Sequence, residues 1–136
     1  MKNISKIRVI YADTDAMGIV YHTNYLKWFE VGRTELFRDM GIVYGDWASS
    51  GISFPLSKAF CHYLFPARYD DVVYVETVVD YIKRASIKFK NVILNEDRRI
   101  VLADGYTIHA CTDRDGKIVR IPGKMIEMIE KSRNNN

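Results

Sequence analysis

Residues 11–38, YADTDAMGIVYHTNYLKWFEVGRTELFR, decide the fold, because they carry the chain from a strand pattern into a helix pattern. The run 6–13 that leads into this stretch alternates side chains between two faces, which predicts a strand. From residue 23 onward, apolar side chains recur at three- and four-residue steps, which predicts a helix over residues 23–40. The apolar face of this helix is broad and aromatic, so we expect the helix to be heavily buried.

The rest of the chain is dominated by strand patterns. The glycine-rich segment 41–51 predicts a loop. Strands are predicted over residues 52–64, 72–82, 86–94 and 99–112, with Gly105 as a candidate bulge, followed by a hairpin turn at 113–117, a short strand at 118–121 and a short helix from Pro122. This order predicts the α+β class, with one buried helix against a mostly antiparallel sheet. One helix covers only part of a sheet, so we expect an oligomer.

Composition places the chain among ordinary globular proteins. It has 136 residues, 48% of them hydrophobic and 27% charged, which predicts a single domain over 1–131 and a frayed tail at 132–136. The net charge of +3 argues against a dedicated nucleic-acid partner. Cys61 and Cys111 are expected to be buried free thiols. The absence of a run of about 18 apolar residues, and of a signal-peptide pattern, predicts a cytoplasmic protein without a membrane span.

The junction between the first strand and the helix holds an unusual number of ionisable groups. Asp13, Asp15 and Gly18 match positions of a calcium loop, but Met17 and Asn24 stand where further oxygen ligands are required. The pattern therefore predicts no metal site.

Two interpretations of this junction remain open from the residues alone. Asp15 and His22 can be turn and helix-start residues with a purely structural role, since Asp, Thr and Gly are common in turns. Alternatively, Gly18 folds the Asp15 carboxylate back beside the unpaired N–H groups that begin the helix at residues 21–24. A carboxylate facing such donors can act as base or nucleophile opposite an oxyanion site, which suits acyl-transfer hydrolysis.

The junction resembles the signature of the 4-hydroxybenzoyl-CoA thioesterase family, which has the hotdog fold. The matching positions are Arg8, Val9, Thr14, Asp15, Gly18, Ile19, Val20, His22 and Tyr25. The longer block from Tyr11 to Arg38 is most similar to the branch that contains the Tol–Pal-associated thioesterases. The resemblance extends more loosely over the whole chain.

This resemblance implies a fold, a substrate and roles for particular residues. It implies a long helix wrapped by a curved antiparallel sheet, in dimers joined edge to edge and often paired into tetramers. It implies hydrolysis of acyl-CoA without a metal or organic cofactor. Asp15 would be nucleophile or general base, the backbone N–H of His22 would polarise the thioester carbonyl, and the side chains of His22 and Tyr11 would line the site. Asp13 is the weaker carboxylate candidate.

Other charged residues have a functional and a structural interpretation. Glu30 and Glu35 lie on the helix, where some hotdog thioesterases carry their catalytic carboxylate; here we interpret them as partners of Arg33 or as a solvated face. Lys83 and Arg84 either contact the phosphates of coenzyme A or protect a sheet edge by charge. Weaker candidates for phosphate binding are Arg120 and Lys124. Four aromatic residues can line an acyl pocket, although core packing is the default interpretation of aromatics: Trp47, Phe54, Phe60 and Tyr63.

Two other functions are compatible with the same fold. One is a hydratase or dehydratase acting on acyl thioesters, against which the Thr14–Asp15 and Gly18 pattern argues. The other is a non-catalytic module that binds acyl-CoA or an acyl carrier, which would not need a carboxylate such as Asp15 at the mouth of the helix.

Overall fold

A computed structural model describes residues 1–134 and contains one five-stranded antiparallel sheet. The strands are β1 (Lys2–Arg8), β2 (Leu56–Tyr63), β3 (Val72–Ile82), β4 (Ser86–Leu94) and β5 (Val101–Ala110), and their order across the sheet is β1-β3-β4-β5-β2. The observed β3 and β4 match the predicted ranges residue for residue. The hotdog arrangement and the α+β class are confirmed.

The long helix α1 (Asn24–Asp39) lies against one face of this sheet. Its apolar stripe is buried as predicted, with Trp28, Phe29 and Leu36 almost inaccessible to solvent. Gly32 lets the helix approach closely, because a Cβ at this position would collide with Oγ1 of Thr77 on β3. Burial of this aromatic stripe contributes to both apolar clusters of the core.

Gly105 has a different role from the one predicted. The ladders continue through it without a bulge, pairing it with Asn91 on one side and Cys61 on the other. A Cβ there would meet the Phe60 carbonyl oxygen and would lie 3.0 Å from Cε2 of Phe29. Gly105 is therefore a site of close approach to the backbone of β2 and to α1, and the bulge prediction was wrong.

The first strand is displaced from its predicted range. It ends at Arg8, and Tyr11–Asp13 form a short 3₁₀ helix instead of extended chain. The reason is that Asp13 is buried and its carboxylate accepts from the N–H of Ile10 at 3.3 Å and pairs with Lys27 of α1 at 2.9 Å. These contacts turn the chain toward the helix.

The segment 41–51 is more ordered than the predicted loop. It contains a helix, α2 (Tyr44–Ser49), between Gly41 and Gly51, which have φ angles of 84° and 96°. Such left-handed conformations favour glycine and end helices. The side chain of Trp47 packs against the core, which stabilises this short helix despite its polar composition.

In the C-terminal region the predicted turn is present, whereas the predicted last strand is not. The 113–117 turn forms, while the strand expected at 118–121 is reduced to a bridge between Thr112 and Ile118. The last helix, α3 (Gly123–Asn134), buries Met125 and Ile129. Residues 132–134 are therefore helical rather than frayed, and 135–136 lie outside the described residues.

The sheet has two ends, and each is named here by its residues. The end that contains Arg8, Val72 and Tyr63 is called the helix-start end. The opposite end, with Leu56, Ile82 and the start of β4, is called the hairpin end. Both thiols are free; Cys111 is buried as predicted, while Cys61 is only partly so. Within residues 1–134, no helix is long and apolar enough to cross a membrane.

Candidate active site

A cavity of about 350 Å³ lies at the helix-start end of the sheet. We call it the helix-start cavity. Its lining includes Asp15, Val20, His22, Tyr25, Tyr63 and Phe65. The structure therefore brings the two main sequence-predicted residues, Asp15 and His22, to one cavity.

A tight turn presents the Asp15 carboxylate. The backbone N–H of Asp15 donates to the Ile19 carbonyl at 2.9 Å, and the N–H of Gly18 donates to the Asp15 carbonyl at 3.0 Å. Gly18 has a φ of 79°, which favours glycine. The N–H of Met17 donates to Asp15 Oδ1 at 2.8 Å. Within residues 1–134 the other oxygen, Oδ2, accepts no hydrogen bond, so it is available to a reactant.

The start of α1 carries unpaired hydrogen-bond donors beside the same cavity, which His22 lines. Thr23 is the N-cap residue, but its side chain makes no capping hydrogen bond. Among the described residues, no acceptor pairs with the backbone N–H of His22 or Thr23. Unpaired N–H groups at the positive end of a helix stabilise developing negative charge on an oxygen.

Tyr63 is a site residue that the sequence identified only as one of four aromatic candidates. Its hydroxyl donates to the His22 carbonyl at 2.7 Å, and the same carbonyl accepts from the N–H of Tyr25 at 3.3 Å. Burial raises the pKa of Tyr63, and the neighbouring Cys61 raises it further, so the phenol remains a donor. No local signal connects β2 with residue 22, because the contact spans 41 residues of chain.

The other three aromatic candidates for the acyl pocket lie outside the helix-start cavity. Phe54 is buried beside a second cavity, and Trp47 packs against the core. Phe60 stacks on Tyr106 with the ring centroids 5.5 Å apart and is 48% exposed. Of the four candidates, only Tyr63 lines the helix-start cavity.

Tyr11 and Asp13 lie close to the site in sequence but do not line the cavity. Tyr11 is 77% exposed and meets Tyr69 edge-to-face with the ring centroids 5.9 Å apart. Its proposed place in the site remains a prediction. The Asp13 carboxylate pairs with Lys27, and the carbonyl of the same residue accepts from the N–H of Tyr21 at 2.8 Å. Asp13 therefore anchors the turn to α1.

The helix carboxylates point away from the helix-start cavity. Glu30 lies 3.8 Å from Arg33, as expected, whereas Glu35 lies 3.6 Å from Arg38 rather than beside Arg33. Glu35 belongs to a solvated face, and Glu30 lines the second cavity.

Lys83 and Arg84 lie at the opposite end of the sheet from Asp15. They line a shallow groove with Arg120 and Glu130 at the hairpin end. β3 spans 11 residues between the two ends, a distance of about 30 Å at 3.3 Å per residue. Within one chain the structure does not bring these cations to the helix-start cavity. Two neighbouring cations, Lys88 and Lys90, lie 3.3 and 3.6 Å from Asp80, and Lys124 is exposed on α3.

The donor set of the described residues does not form a metal centre, since no group of three or more His, Cys, Asp or Glu side chains converges there. The candidate reactive groups are instead one carboxylate and backbone N–H donors at a helix start. A long helix packed against a five-stranded antiparallel sheet of this strand order defines the hotdog fold.

The chain belongs to the thioesterase-like superfamily, whose family model matches residues 9–129. It is 31% identical to the acyl-CoA thioester hydrolase YbgC of Escherichia coli O6:H1 over 107 residues, which cover 79% of each chain. Its structure is similar to that of a DHNA-CoA thioesterase from Staphylococcus aureus, with a TM-score of 0.92, 31% identity and coverage of 98% of this chain and 93% of the other. It is also similar to a hypothetical protein from Aquifex aeolicus, with a TM-score of 0.87, 35% identity and coverage of 93% and 98%.

Proposed function

We propose that this protein hydrolyses acyl-CoA thioesters to a free acid and coenzyme A, with Asp15 as general base or nucleophile. The observation that supports this proposal is that Asp15, one oxygen of which has no partner among the described residues, lines the same cavity as His22, whose backbone N–H also has no acceptor there. The names of the relatives point to the same class of substrate.

The residues are compatible with two mechanisms of hydrolysis, one with general-base and one with nucleophilic catalysis by Asp15. As general base, Asp15 takes a proton from water while the water oxygen attacks the thioester carbonyl. The resulting oxyanion is held by the N–H of His22, and it then collapses with expulsion of the CoA thiolate, which takes up the proton. As nucleophile, Asp15 attacks the carbonyl itself and expels the thiolate. Water then hydrolyses the mixed anhydride and regenerates the carboxylate.

We further propose that the protein is a homodimer joined through β2. This edge strand is exposed on both faces, with Leu56, Phe60 and Tyr63 all more than 40% exposed. The other edge, β1, carries Lys2, Lys6 and Arg8, which is a typical protection against pairing. β2 carries a single lysine, Lys58, and its exposed apolar side chains make it the better template for a second copy.

The charges on β2 complement one another in an antiparallel pairing. Lys58 lies near one end of the strand, and His62 lies near the other end, 3.8 Å from Asp104 of β5. Two-fold antiparallel pairing places Lys58 of each chain beside the Asp104 end of the partner. Opposite charges then face each other twice across the interface.

Such a dimer explains the position of the groove lined by Lys83, Arg84 and Arg120, which we call the basic groove. Antiparallel pairing brings the hairpin end of one chain beside the helix-start end of its partner. Counting from β2 of one chain, the partner's β2, β5 and β4 follow in that order. The partner's β4, whose start lies beside the basic groove, is therefore three strand spacings away, or about 15 Å. That separation is comparable to the extended arm between the thioester and the nucleotide of coenzyme A. Lys83 and Arg84 are therefore proposed to bind CoA phosphates of the partner subunit's substrate.

The experiment that tests the proposed function measures free thiol released from a panel of acyl-CoAs. The wild-type protein is expected to release thiol, and Asp15→Asn to lower kcat at least about a hundredfold. Asp115→Asn, which changes an exposed turn residue in the same way, is the matched control. Near wild-type rates in Asp15→Asn would refute the assigned mechanism.

The same panel separates the alternatives. A hydratase or dehydratase would change the enoyl chromophore without releasing thiol. A binding module would bind acyl-CoA without turnover and would be indifferent to substitution of Asp15.

A further inference from the structure

A short hairpin over residues 13–21, which we call the Asp15 hairpin, carries the proposed catalytic carboxylate to the start of α1. The N–H of Asp15 donates to the Ile19 carbonyl at 2.9 Å, and the N–H of Tyr21 donates to the Asp13 carbonyl at 2.8 Å. These two bonds join its strands. Asp15 therefore lies near the tip of the hairpin, and Asp13 and Tyr21 form its base.

The base of the hairpin also positions the proposed oxyanion donor. The N–H of His22 belongs to the peptide that directly follows Tyr21, and the carbonyl of that peptide accepts from the N–H of Asn24 at 2.9 Å. The tip that carries Asp15 and the peptide that carries the His22 N–H are thus connected through one pair of residues. A shift of Asp13 relative to α1 would change the distance between carboxylate and donor.

Asp13 is the residue at which the hairpin is fastened to α1. Within residues 1–134 it is the one carboxylate that is buried, with an exposure of 5%. Oδ1 accepts from Nζ of Lys27 at 2.9 Å, and Oδ2 accepts from the N–H of Ile10 at 3.3 Å. The Asp13 carbonyl accepts from Nδ2 of Asn24 at 2.8 Å as well as from Tyr21. A buried carboxylate without such partners is costly, so these contacts hold Asp13 in place.

The two α1 side chains that contact Asp13 act from one face of the helix. Asn24 and Lys27 are three residues apart, which places them on neighbouring turns of the same face. Neither residue lines the helix-start cavity. Their influence on a reaction in that cavity would therefore pass through Asp13.

The contact between Lys27 and Asp13 differs from the other ion pairs of the described residues. The Asp13 side chain is 6% exposed, whereas the carboxylate of every other pair is at least 20% exposed. Exposed pairs contribute little, while a buried carboxylate depends strongly on its cation. Loss of Lys27 would thus disturb the base of the Asp15 hairpin more than the loss of a surface lysine disturbs its surroundings.

We propose that Lys27 and Asn24 are positioning residues for thioester hydrolysis, which hold Asp13 and thereby fix the Asp15 carboxylate relative to the N–H of His22. This assignment rests on the proposed function. Such control is effective because a displacement of about 1 Å in a catalytic group lowers a rate by up to about a hundredfold.

The first test removes the cation. Lys27→Met retains most of the side-chain stem, and kcat is expected to fall about tenfold with KM nearly unchanged. Lys27→Arg keeps the positive charge and should retain most of kcat. Lys2→Met is the matched control, because Lys2 is also 52% exposed and lies 3.0 Å from a carboxylate, that of Glu76 on β3. Wild-type kcat in folded Lys27→Met would overturn the assignment.

The second test separates positioning from folding. Lys27→Met leaves a buried carboxylate without its cation, whereas Asp13→Asn removes the charge and keeps an oxygen for the N–H of Ile10. All of these variants, including the double variant, break the same contact, so a positioning role predicts about the same fall in kcat for each. A role in folding alone predicts a lower Tm, lowest in Lys27→Met, with kcat of the folded protein unchanged. That result would overturn the proposal.

The third test concerns Asn24. Asn24→Ala removes one donor to the Asp13 carbonyl, and kcat is expected to fall about threefold to tenfold, as for the loss of one hydrogen bond. Asn3→Ala is the matched control, because Nδ2 of Asn3 donates at 2.8 Å to Asp39 at the other end of α1. Equal kcat values in the two variants would overturn the assignment for Asn24.

The fourth test distinguishes positioning from direct binding of coenzyme A by the Lys27 cation. An acyl-pantetheine thioester lacks the nucleotide phosphates. A positioning role predicts the same fall in kcat for Lys27→Met with this substrate and with acyl-CoA. A rise in KM that is confined to acyl-CoA, with kcat unchanged, would assign Lys27 to phosphate binding and overturn the proposal.

The two levels of inference fail differently. Absence of thiol release by the wild-type protein from every acyl-CoA would refute the proposed function. Hydrolysis that requires Asp15 but is unaffected by the variants of Lys27 and Asn24 would leave the proposed function standing and refute only the positioning role.

Discussion

The hydroxyl of Tyr63 on β2 donates to the main-chain carbonyl of His22, 2.7 Å away. This bond ties the edge strand of the sheet to the residue that begins the central helix. The carbonyl belongs to the peptide whose N–H is that of Thr23, which has no acceptor among the described residues. Tyr63 thus fixes the peptide that directly follows the N–H of His22, the proposed oxyanion donor.

The first prediction concerns this positioning role. Tyr63→Phe removes the hydroxyl and keeps the ring, so kcat is expected to fall about tenfold with little change in KM, because the loss of one hydrogen bond loosens a transition-state donor. Steady-state kinetics with acyl-CoA measure both constants. Tyr69→Phe, an exposed tyrosine beside Tyr11, is the control. Equal kcat values in the two variants would show that the bond has no part in catalysis.

The second prediction concerns the basic groove. Replacing Lys83 and Arg84 with alanine removes two cations from the proposed phosphate site, so KM for acyl-CoA is expected to rise about tenfold with kcat nearly unchanged. An acyl-pantetheine thioester, which lacks the nucleotide phosphates, should show no such effect. Alanine at Lys117 and Lys131, both exposed, is the charge-matched control. A similar rise in KM for both substrates would contradict phosphate binding.

The third prediction concerns the dimer. Lys58→Glu places like charges together at both ends of the proposed interface, so the dimer is expected to dissociate at least about tenfold more readily. Adding Asp104→Lys in the same chain restores opposite charges and should recover association. Sedimentation at a series of protein concentrations measures the dissociation constant. Lys6→Glu on the β1 edge is the control, and weakening of the dimer by that variant would contradict the choice of β2.

The fourth prediction is a pH dependence of stability caused by His109. Because burial lowers the pKa of His109 from 6.5 to about 4 in the folded protein, the unfolded chain takes up a proton first as pH falls. Stability is therefore complete above pH 6.5 and is lost progressively between pH 6.5 and 4, by up to about 3 kcal/mol. Denaturant unfolding at pH 7 and 4.5 measures the change. His109→Gln should flatten this profile, and an equally steep profile in that variant would assign the effect to other groups.

The fifth prediction concerns helix–sheet contact at Gly32. A methyl group there collides with Oγ1 of Thr77, so Gly32→Ala is expected to destabilise the fold by about 1–3 kcal/mol even though alanine is the better helix former. Gly45→Ala in α2 has open space around its Cβ and should be neutral or slightly stabilising. Denaturant unfolding compares the two. Adding Thr77→Ala should recover part of the loss, and failure to do so would place the strain elsewhere.

The local sequence pattern predicted the strands and the helix whose formation depends mainly on neighbouring side chains. The strands over 72–82 and 86–94 were predicted to the residue because alternating apolar side chains face one core. The helix was predicted within one residue at each end because its aromatic stripe has helical spacing. The predictions failed for 6–13 and 41–51, where the contacts of the buried Asp13 carboxylate and core packing by Trp47 override the local pattern.

The sequence by itself determined the family and the fold, and it identified Asp15 and His22 as the candidate reactive pair, because turn and helix-start chemistry is encoded within a dozen neighbouring residues. Only the tertiary structure decided that Tyr63 lines the same cavity as that pair, that Arg33 lines a second cavity, and that Lys83 and Arg84 lie at the opposite end of the sheet from Asp15. The physical reason is that these relationships depend on strand order and sheet register, which bring together residues from separate elements.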